Sequence, residues 1–392
     1  MEIHQRIAGI VERLTPQLVG LRKELHQRPE LAFEEHETAK AVVDFLKHLK
    51  IPCRTGVGKT GVVAVLEGGK PGRTIGIRAD MDALPIHEQT GLAFASKVQG
   101  KMHACGHDVH TVIALGVAAT LSELRGSLSG RVKFIFQPAE ETLSGARAMI
   151  AEGVLDDPKM DLILGYHNWP AVEAGKVGYN AGAVMSAADA FDVTLKGRDG
   201  HGAHPHLAVD ALAAGAHLVA QLQTIVSREV KPNWPAVLTI GEFHAGRARN
   251  IIAGSAELKG IVRTMEPGLS EKIEAAVRRM LEGLKTGMRV DYTLDWKRMV
   301  PSLRNNKEIL AGILASARAA IGEENVLELP EPSMGSEDFA WFAEQVPAAH
   351  LRIGSKIDGL ETAIHRSNYD CNELAIPVGV KVLARAALDL SK

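Results

Sequence analysis

Residues 103 to 111 read His-Ala-Cys-Gly-His-Asp-Val-His-Thr, crowding three imidazoles and a thiol into a short stretch that ends in apolar sequence. Imidazole and thiolate are the softer protein ligands of divalent transition metals, and Gly106 permits the tight backbone that aims Cys105 and His107 inward. Metal ligation is the chemistry these types suggest. The plainer reading makes Cys105 a small buried hydrophobe and the histidines ordinary core or surface residues.

Further donors must come from elsewhere. Glu140 and Glu141 follow Gln137-Pro138-Ala139, an irregular turn after which adjacent side chains can point to different tasks. One could ligate and the other act as base, since a carboxylate near an acidified water can take its proton. The alternative is a solvated helix start, where acids are favoured. Asp80 and Asp82 could ligate, or could orient the ligating histidines from behind, and the second role suits Asp82 best. His167 stands between apolar residues and Trp169-Pro170, a setting in which a lone histidine is usually structural. His365, in Ala363-Ile364-His365-Arg366, carries no local signal.

The elements that must bring these residues together are legible from periodicity. Helical apolar spacing runs over 2–26 and 35–50, interrupted by Arg28-Pro29. Strands are predicted at Gly61–Leu66, Arg73–Arg78, Arg131–Phe136 and Asp161–Gly165, with helices at Val109–Leu124 and Gly145–Gly153. Alternating strands and helices imply a parallel sheet, because parallel strands need helical crossovers. Each suspicious cluster then falls just past a strand's carboxyl end, the edge where open α/β sheets bind ligands.

From about Ser186 the rhythm changes to strand, helix, strand, strand, helix, strand: Ala190–Lys196, Val209–Val226, Ala236–Phe243, Glu257–Thr264, Ser270–Lys285 and Arg289–Lys297. That is the ferredoxin-like order. The expectation is an α/β catalytic domain with a mainly parallel sheet, formed by 1–186 and 300–392, and an inserted ferredoxin-like α+β lid over 187–299. A helix at Lys307–Ala320 resumes the catalytic domain.

With 392 residues and 46% hydrophobic composition the chain can bury a large core. Its net charge of -2 leaves no basic excess for nucleic acid or anionic membrane surfaces, so small molecules are the expected partners. Three scattered cysteines argue against a disulfide framework, and charged residues interrupt the start of the chain where a signal peptide would be apolar. A cytoplasmic enzyme is expected.

The strings RADMDALP, MHACGHDVHT, QPAEE, GYHNWP, GRDGHGAHPH, MGSEDF and AIHRSNYD, in this order, resemble the M20 metallopeptidase family. The resemblance is to its amidohydrolase branch, which contains hippurate hydrolases, N-acyl-amino-acid amidohydrolases and plant auxin-conjugate hydrolases, and it spans nearly the whole chain. It implies two divalent metal ions per chain, zinc or manganese ahead of cobalt or nickel, with Cys105 bridging them and His107, Glu141, His167 and His365 completing the ligand set. It implies Glu140 as general base, Asp82 as a supporting acid and His201 of the lid as a donor to the substrate carbonyl. Asn250, Arg263 and Gly335 would hold the substrate, and the lid would form a homodimer. The sequence departs from the family's NVIP at Asn250-Ile251-Ile252-Ala253, and reads HRSNYD where many relatives carry H-x-P-x-F-D.

The activity this implies is hydrolysis of the amide bond of N-acyl amino acids by an activated water. The rivals are a dipeptidase or carboxypeptidase with the same centre, a hydrolase using Cys105 as nucleophile, and a silent ligand-binding protein.

Overall fold

In the computed structural model, which describes residues 2–361 and 363–392, the first helix is Ile3–His26, and its apolar stripe of Ile7, Val11, Leu14, Leu18 and Leu25 is buried. The stripe has helical spacing, and Arg28-Pro29 follows the last turn. A second helix, His36–His48, buries Val42 and Leu46.

The central element is the helix His107–Glu123, whose residues are buried all round as far as Leu121. A helix apolar on every side belongs inside a core. It lies against Ile3–His26 and the final helix, Ala375–Leu390.

An eight-stranded sheet runs in the order Cys53–Val57, Gly61–Glu67, Ser129–Gln137, Lys70–Asp80, Leu162–Glu173, Ala348–Lys356, Val177–Tyr179 and Val326–Glu328. Ser129–Gln137, Lys70–Asp80, Leu162–Glu173 and Ala348–Lys356 are successively parallel. Towards one edge the pairings turn antiparallel, where a short connection joins Cys53–Val57 to Gly61–Glu67. The strand expected to stop at Gly165 continues to Glu173 because Trp169 still pairs with Gly354. His167 therefore stands within a strand, with Arg352 as its register partner.

The chain divides into two compact units. One comprises residues up to Val184, Arg304–Pro332 and Glu337–Lys392, and the other comprises Met185–Leu303 with Ser333–Ser336. The second has an antiparallel sheet in the order Ala236–Ala245, Ser255–Thr264, Ala187–Lys196 and Asp291–Val300. Its helices Ala211–Thr224 and Leu269–Met288 share an apolar core with this sheet through Phe191, Val193, Leu218 and Leu281. The segment Ser333–Ser336, expected within the catalytic domain, groups with this unit. Arg263 Nη1 donates to Met334 O at 3.0 Å and Ser336 Oγ at 2.9 Å, and Ser186 N donates to Gly335 O at 2.8 Å. No helix among the described residues is long and apolar enough to cross a membrane.

Candidate metal centre

Cys105 and His107 flank Gly106, the residue preceding the central helix, whose φ of 82° is left-handed. A Cβ at Gly106 would lie 2.2 Å from Asn168 Nδ2 and 2.6 Å from Tyr369 Oη, so both conformation and space call for glycine. Asn168 holds the turn by donating Nδ2 to Cys105 O at 2.7 Å.

Around this turn, residues from separated segments converge. Cys105 Sγ lies 3.3 Å from His167 Nε2, and His365 Nε2 lies 3.3 Å from Glu141 Oε1. Among the described residues five groups of donor atoms are compact enough for a cation; His107 with Glu140 and Glu141 is one, and two more are Cys105 with His107 and His167, and Cys105 with Glu141 and His365. The thiol is common to the last two. His365 reaches the site from a distant loop with a φ of 65°, and its backbone N donates to Ala104 O at 2.8 Å.

Asp82 ties the set together. Its Oδ1 is 3.2 Å from His107 Nδ1 and its Oδ2 accepts from Glu141 N at 3.0 Å, so one carboxylate orients a ring and a neighbouring backbone. This leaves His107 Nε2 facing the cluster, buried and without a hydrogen-bond partner, while Glu141 Oε1 faces His365 Nε2. Buried polar atoms are normally satisfied, so an orphaned imidazole nitrogen in a ring of thiol, imidazole and carboxylate fits a bound cation. Asp80 is committed elsewhere: it accepts from Arg78 Nη1 at 2.6 Å and pairs with His110 Nδ1 at 2.5 Å.

The charge balance points the same way. Burial alone would lower the His107 imidazole, but Asp80, Asp82 and Glu141 hold it up at about 10. The cavity thus draws positive charge, as a proton or as a metal ion. Burial raises the Cys105 thiol well above its ordinary value, with Glu141, Glu140 and Asp80 adding to the effect, while burial pushes His167 well down. Cys105 and His167 are thus both shifted towards their neutral forms, whereas a cysteine nucleophile needs a lowered thiol.

Glu140 and Glu141 face different surroundings. Burial, with Glu337, Glu141 and Asp338 close by, raises the Glu140 carboxyl well above the usual range against the pull of Arg78. Glu141 is also penalised by burial, yet His365 and His107 bring it below that range. Adjacent carboxyls pushed apart in this way suit an acid–base role and a ligand role.

A sequence profile for "Peptidase family M20/M25/M40" matches residues 76–389. The chain belongs to the M20 peptidase family. It is 38% identical to the N-acetylcysteine deacetylase of Bacillus subtilis over 372 residues, which is 95% of this chain and 96% of the relative. It is 37% identical to the hippurate hydrolase of Campylobacter jejuni, with 94% and 93% of the two chains covered. A solved dinuclear metal binding peptidase of the M20 family from Bacillus subtilis superposes with a TM-score of 0.84 at 34% identity, covering 97% of this chain and 99% of that one.

The remaining M20 candidates lie in the second unit. His201 is exposed on a short strand paired with Ile251–Ile252, and its Nδ1 accepts from Ala203 N at 3.1 Å. That bond places the ring proton on Nε2, which becomes a donor. Asn250 O accepts from Gly202 N at 2.9 Å, so Asn250 belongs to the His201 loop, whereas Arg263 is gathered with Gly335.

Several further residues support the site from behind. Glu35 accepts from Ala139 N at 2.9 Å and fixes the turn before Glu140. Fully buried Arg78 joins Asp80, Glu337 and Asp338. Asp108 pairs with Arg22 at 2.9 Å and His26 at 2.8 Å, anchoring the start of the central helix. Asp338 had a visible signal, the paired acids of MGSEDF. Arg22 had none beyond charge on an amphipathic helix, and Glu35 none beyond an acid just before one.

Proposed function

We propose that this M20 enzyme hydrolyses the amide bond of N-acyl amino acids, releasing a carboxylic acid and a free amino acid. The observation that carries the reading is the convergence of Cys105, His107, Glu141, His167 and His365 with the buried carboxyl group of Glu140 beside them. The names of the relatives support the substrate class.

Two divalent cations held by those five residues, with Cys105 shared, would polarise the scissile carbonyl and acidify a water. Glu140 takes that water's proton as its oxygen attacks the carbonyl carbon, then delivers the proton to the leaving amine nitrogen. Asp82 fixes the His107 tautomer and ring plane. His201 donates Nε2–H to the carbonyl oxygen as it becomes negative. Asn250, Arg263 and Gly335 hold the substrate carboxylate. The mixed thiolate, imidazole and carboxylate donors suit zinc or manganese ahead of cobalt or nickel.

The working form is a cytoplasmic homodimer joined through the second unit. Its strand Ala236–Ala245 lies at a sheet edge and exposes Val237 and Phe243, features that support pairing with a second copy. The three free cysteines support a reducing compartment.

The test is turnover of metal-reconstituted enzyme on N-acetyl, N-benzoyl and longer N-acyl amino acids beside dipeptides. Cleavage of N-acyl amino acids well above dipeptides is expected, and the reverse preference would make the enzyme a peptidase. Full turnover by chelated protein would remove the metal-dependent reading altogether.

A further inference from the structure

Four of the five candidate ligands lie in three segments that are far apart in the chain, around Cys105 and His107, at His167 and at His365, and one buried residue joins the three. Asn168 directly follows His167 in the strand Leu162–Glu173 and is fully buried. Its backbone O lies 2.6 Å from His167 Nδ1, and because a carbonyl can only accept, the ring proton sits on Nδ1 and leaves Nε2 bare towards Cys105 Sγ. Its side-chain Nδ2 donates to Cys105 O at 2.7 Å and to His110 Nε2 at 2.9 Å. Asn168 therefore orients an imidazole and the thiol-bearing turn at once.

The third segment enters through Tyr369, which is fully buried and donates its hydroxyl to Asn168 Oδ1. Ser355 Oγ donates to the same oxygen from 3.3 Å. With a hydroxyl donating to Oδ1 and a carbonyl facing Nδ2, the amide has a single satisfactory orientation. Two further bonds tie the Tyr369 loop down. His365 N donates to Ala104 O at 2.8 Å, and Arg22 bridges Asp370 Oδ1 at 3.1 Å and Asp108 Oδ2 at 2.9 Å. These ties end on residues 104–108 or on the neighbour of His167.

Resting on the metal-centre reading, we propose that Tyr369 is a positioning residue, whose hydroxyl locks the Asn168 amide and so couples the His365 loop to the Cys105 turn. The set of Cys105, His107 and His167 and the set of Cys105, Glu141 and His365 share the thiol but differ in how firmly they are built. The first set is buried throughout, whereas the His365 side chain is 49% exposed and its backbone is left-handed, a conformation disfavoured for a residue with a Cβ. His365 thus depends on the ties of its loop. Loss of the hydroxyl falls mainly on the ion that His365 would hold.

The test is cobalt(II) titration of chelated protein, followed by calorimetry and by the thiolate-to-cobalt absorbance of Cys105, with the metal-free Tm measured alongside. Wild type is expected to take up one ion tightly and a second more weakly. Tyr369→Phe keeps the ring and removes the oxygen. It should weaken the second ion by about 10- to 100-fold, the usual cost of disturbing a group behind a metal ligand, while the first ion and the metal-free Tm change little. Asn168→Ala should weaken both ions, since it releases the turn that carries the shared thiol. In that background Tyr369→Phe should cost nothing further, because the hydroxyl acts through Asn168, whereas a tyrosine that only fills space would give losses that add. Should Asn168→Ala fail to fold, the unequal effect of Tyr369→Phe on the two ions decides the matter alone. Titrations of Tyr369→Phe that match wild type, equal weakening of both ions in it, or additive losses in the double variant overturn the positioning role and leave the metal centre standing. A wild-type protein that takes up no cobalt overturns the metal centre, and the positioning role with it.

Discussion

Replacing each of the two adjacent glutamates by glutamine separates proton transfer from metal binding. Glu140 is 5% exposed, and its Oε1 accepts from Asp338 N at 3.4 Å, a bond the amide oxygen of glutamine can keep. Glu140→Gln should therefore fold and bind metal while losing its base. General acid–base catalysis is typically worth 10²- to 10⁴-fold, about 3–5 kcal/mol of activation free energy, so kcat should fall by at least roughly 100-fold. Glu141 Oε1 lies 3.3 Å from His365 Nε2 and 3.9 Å from His107 Nε2, within the donor cluster itself. Glu141→Gln should lower the metal content from about two ions per chain to about one. In chelated protein a second sign follows. A carboxyl raised above its unfolded value costs stability as pH rises past the ordinary carboxylate range, because the folded state then binds more protons than the unfolded state. Glu140→Gln removes that cost, so its metal-free Tm should equal or exceed that of wild type at neutral pH. The assays are elemental analysis after dialysis, steady-state kcat and calorimetry. Equal loss of metal in both variants, or kcat within 10-fold of wild type in Glu140→Gln, would refute the division of labour.

His201→Ala should retain both metals and lose roughly 10²- to 10³-fold in kcat, the usual cost of one oxyanion donor, with a smaller loss for His204→Ala; kcat at the wild-type level would make the second unit only a cover. Mass spectrometry of quenched turnover should find no acyl thioester at Cys105, whose thiol is held protonated by burial and acidic neighbours when no cation is bound. His26 is lowered by burial but raised more by Asp108 and Glu88, to about 9 from 6.5, so its contribution is complete below about pH 6.5 and is lost as pH rises through about 9. The stability gap between wild type and His26→Gln should shrink by on the order of 3 kcal/mol across that window in denaturant titrations, and a flat gap would contradict the Asp108 pairing. Gly106→Ala should lower Tm and weaken metal binding at least about 10-fold, because left-handed alanine costs about 1–2 kcal/mol and its Cβ meets Asn168; unchanged metal affinity would mean that the turn does not aim the ligands.

Cys105, His107 and the glutamate pair were legible because chemistry-bearing residues stand next to one another, and local density is a signal a sequence can carry. The parallel order of the central strands was legible for a similar reason, since alternating periods of two and 3.6 require helical crossovers. His365 was not, because its approach depends on a left-handed backbone and one hydrogen bond to Ala104, neither of which has a sequence pattern. Only the family resemblance supplied it. The full length of Leu162–Glu173 was hidden by Pro170, which ordinarily argues against a continuing strand. The anchors Glu35, Arg78 and Asp108 look in sequence like ordinary surface charges, and only burial distinguishes them.

The partition of residues between the two units carries a consequence for how function can be lost. All five candidate donors, the proposed base Glu140 and Asp82, which contacts His107, belong to the unit containing the parallel sheet, where Glu35, Arg78 and Asn168 also lie. His201, Asn250, Arg263 and Gly335 belong to the other unit, and none of them supplies an atom to the donor sets. Changes in the second unit should therefore act on turnover and substrate affinity while leaving the metal equilibrium untouched. Arg263→Ala makes the case sharply, because Arg263 also holds Met334 and Ser336 and its loss frees the segment bearing Gly335. That variant should raise KM for N-acyl amino acids while losing little affinity for substrates that lack a carboxylate, and it should titrate metal as wild type does. Weakened metal binding in it would move Arg263 from substrate recognition to the integrity of the centre.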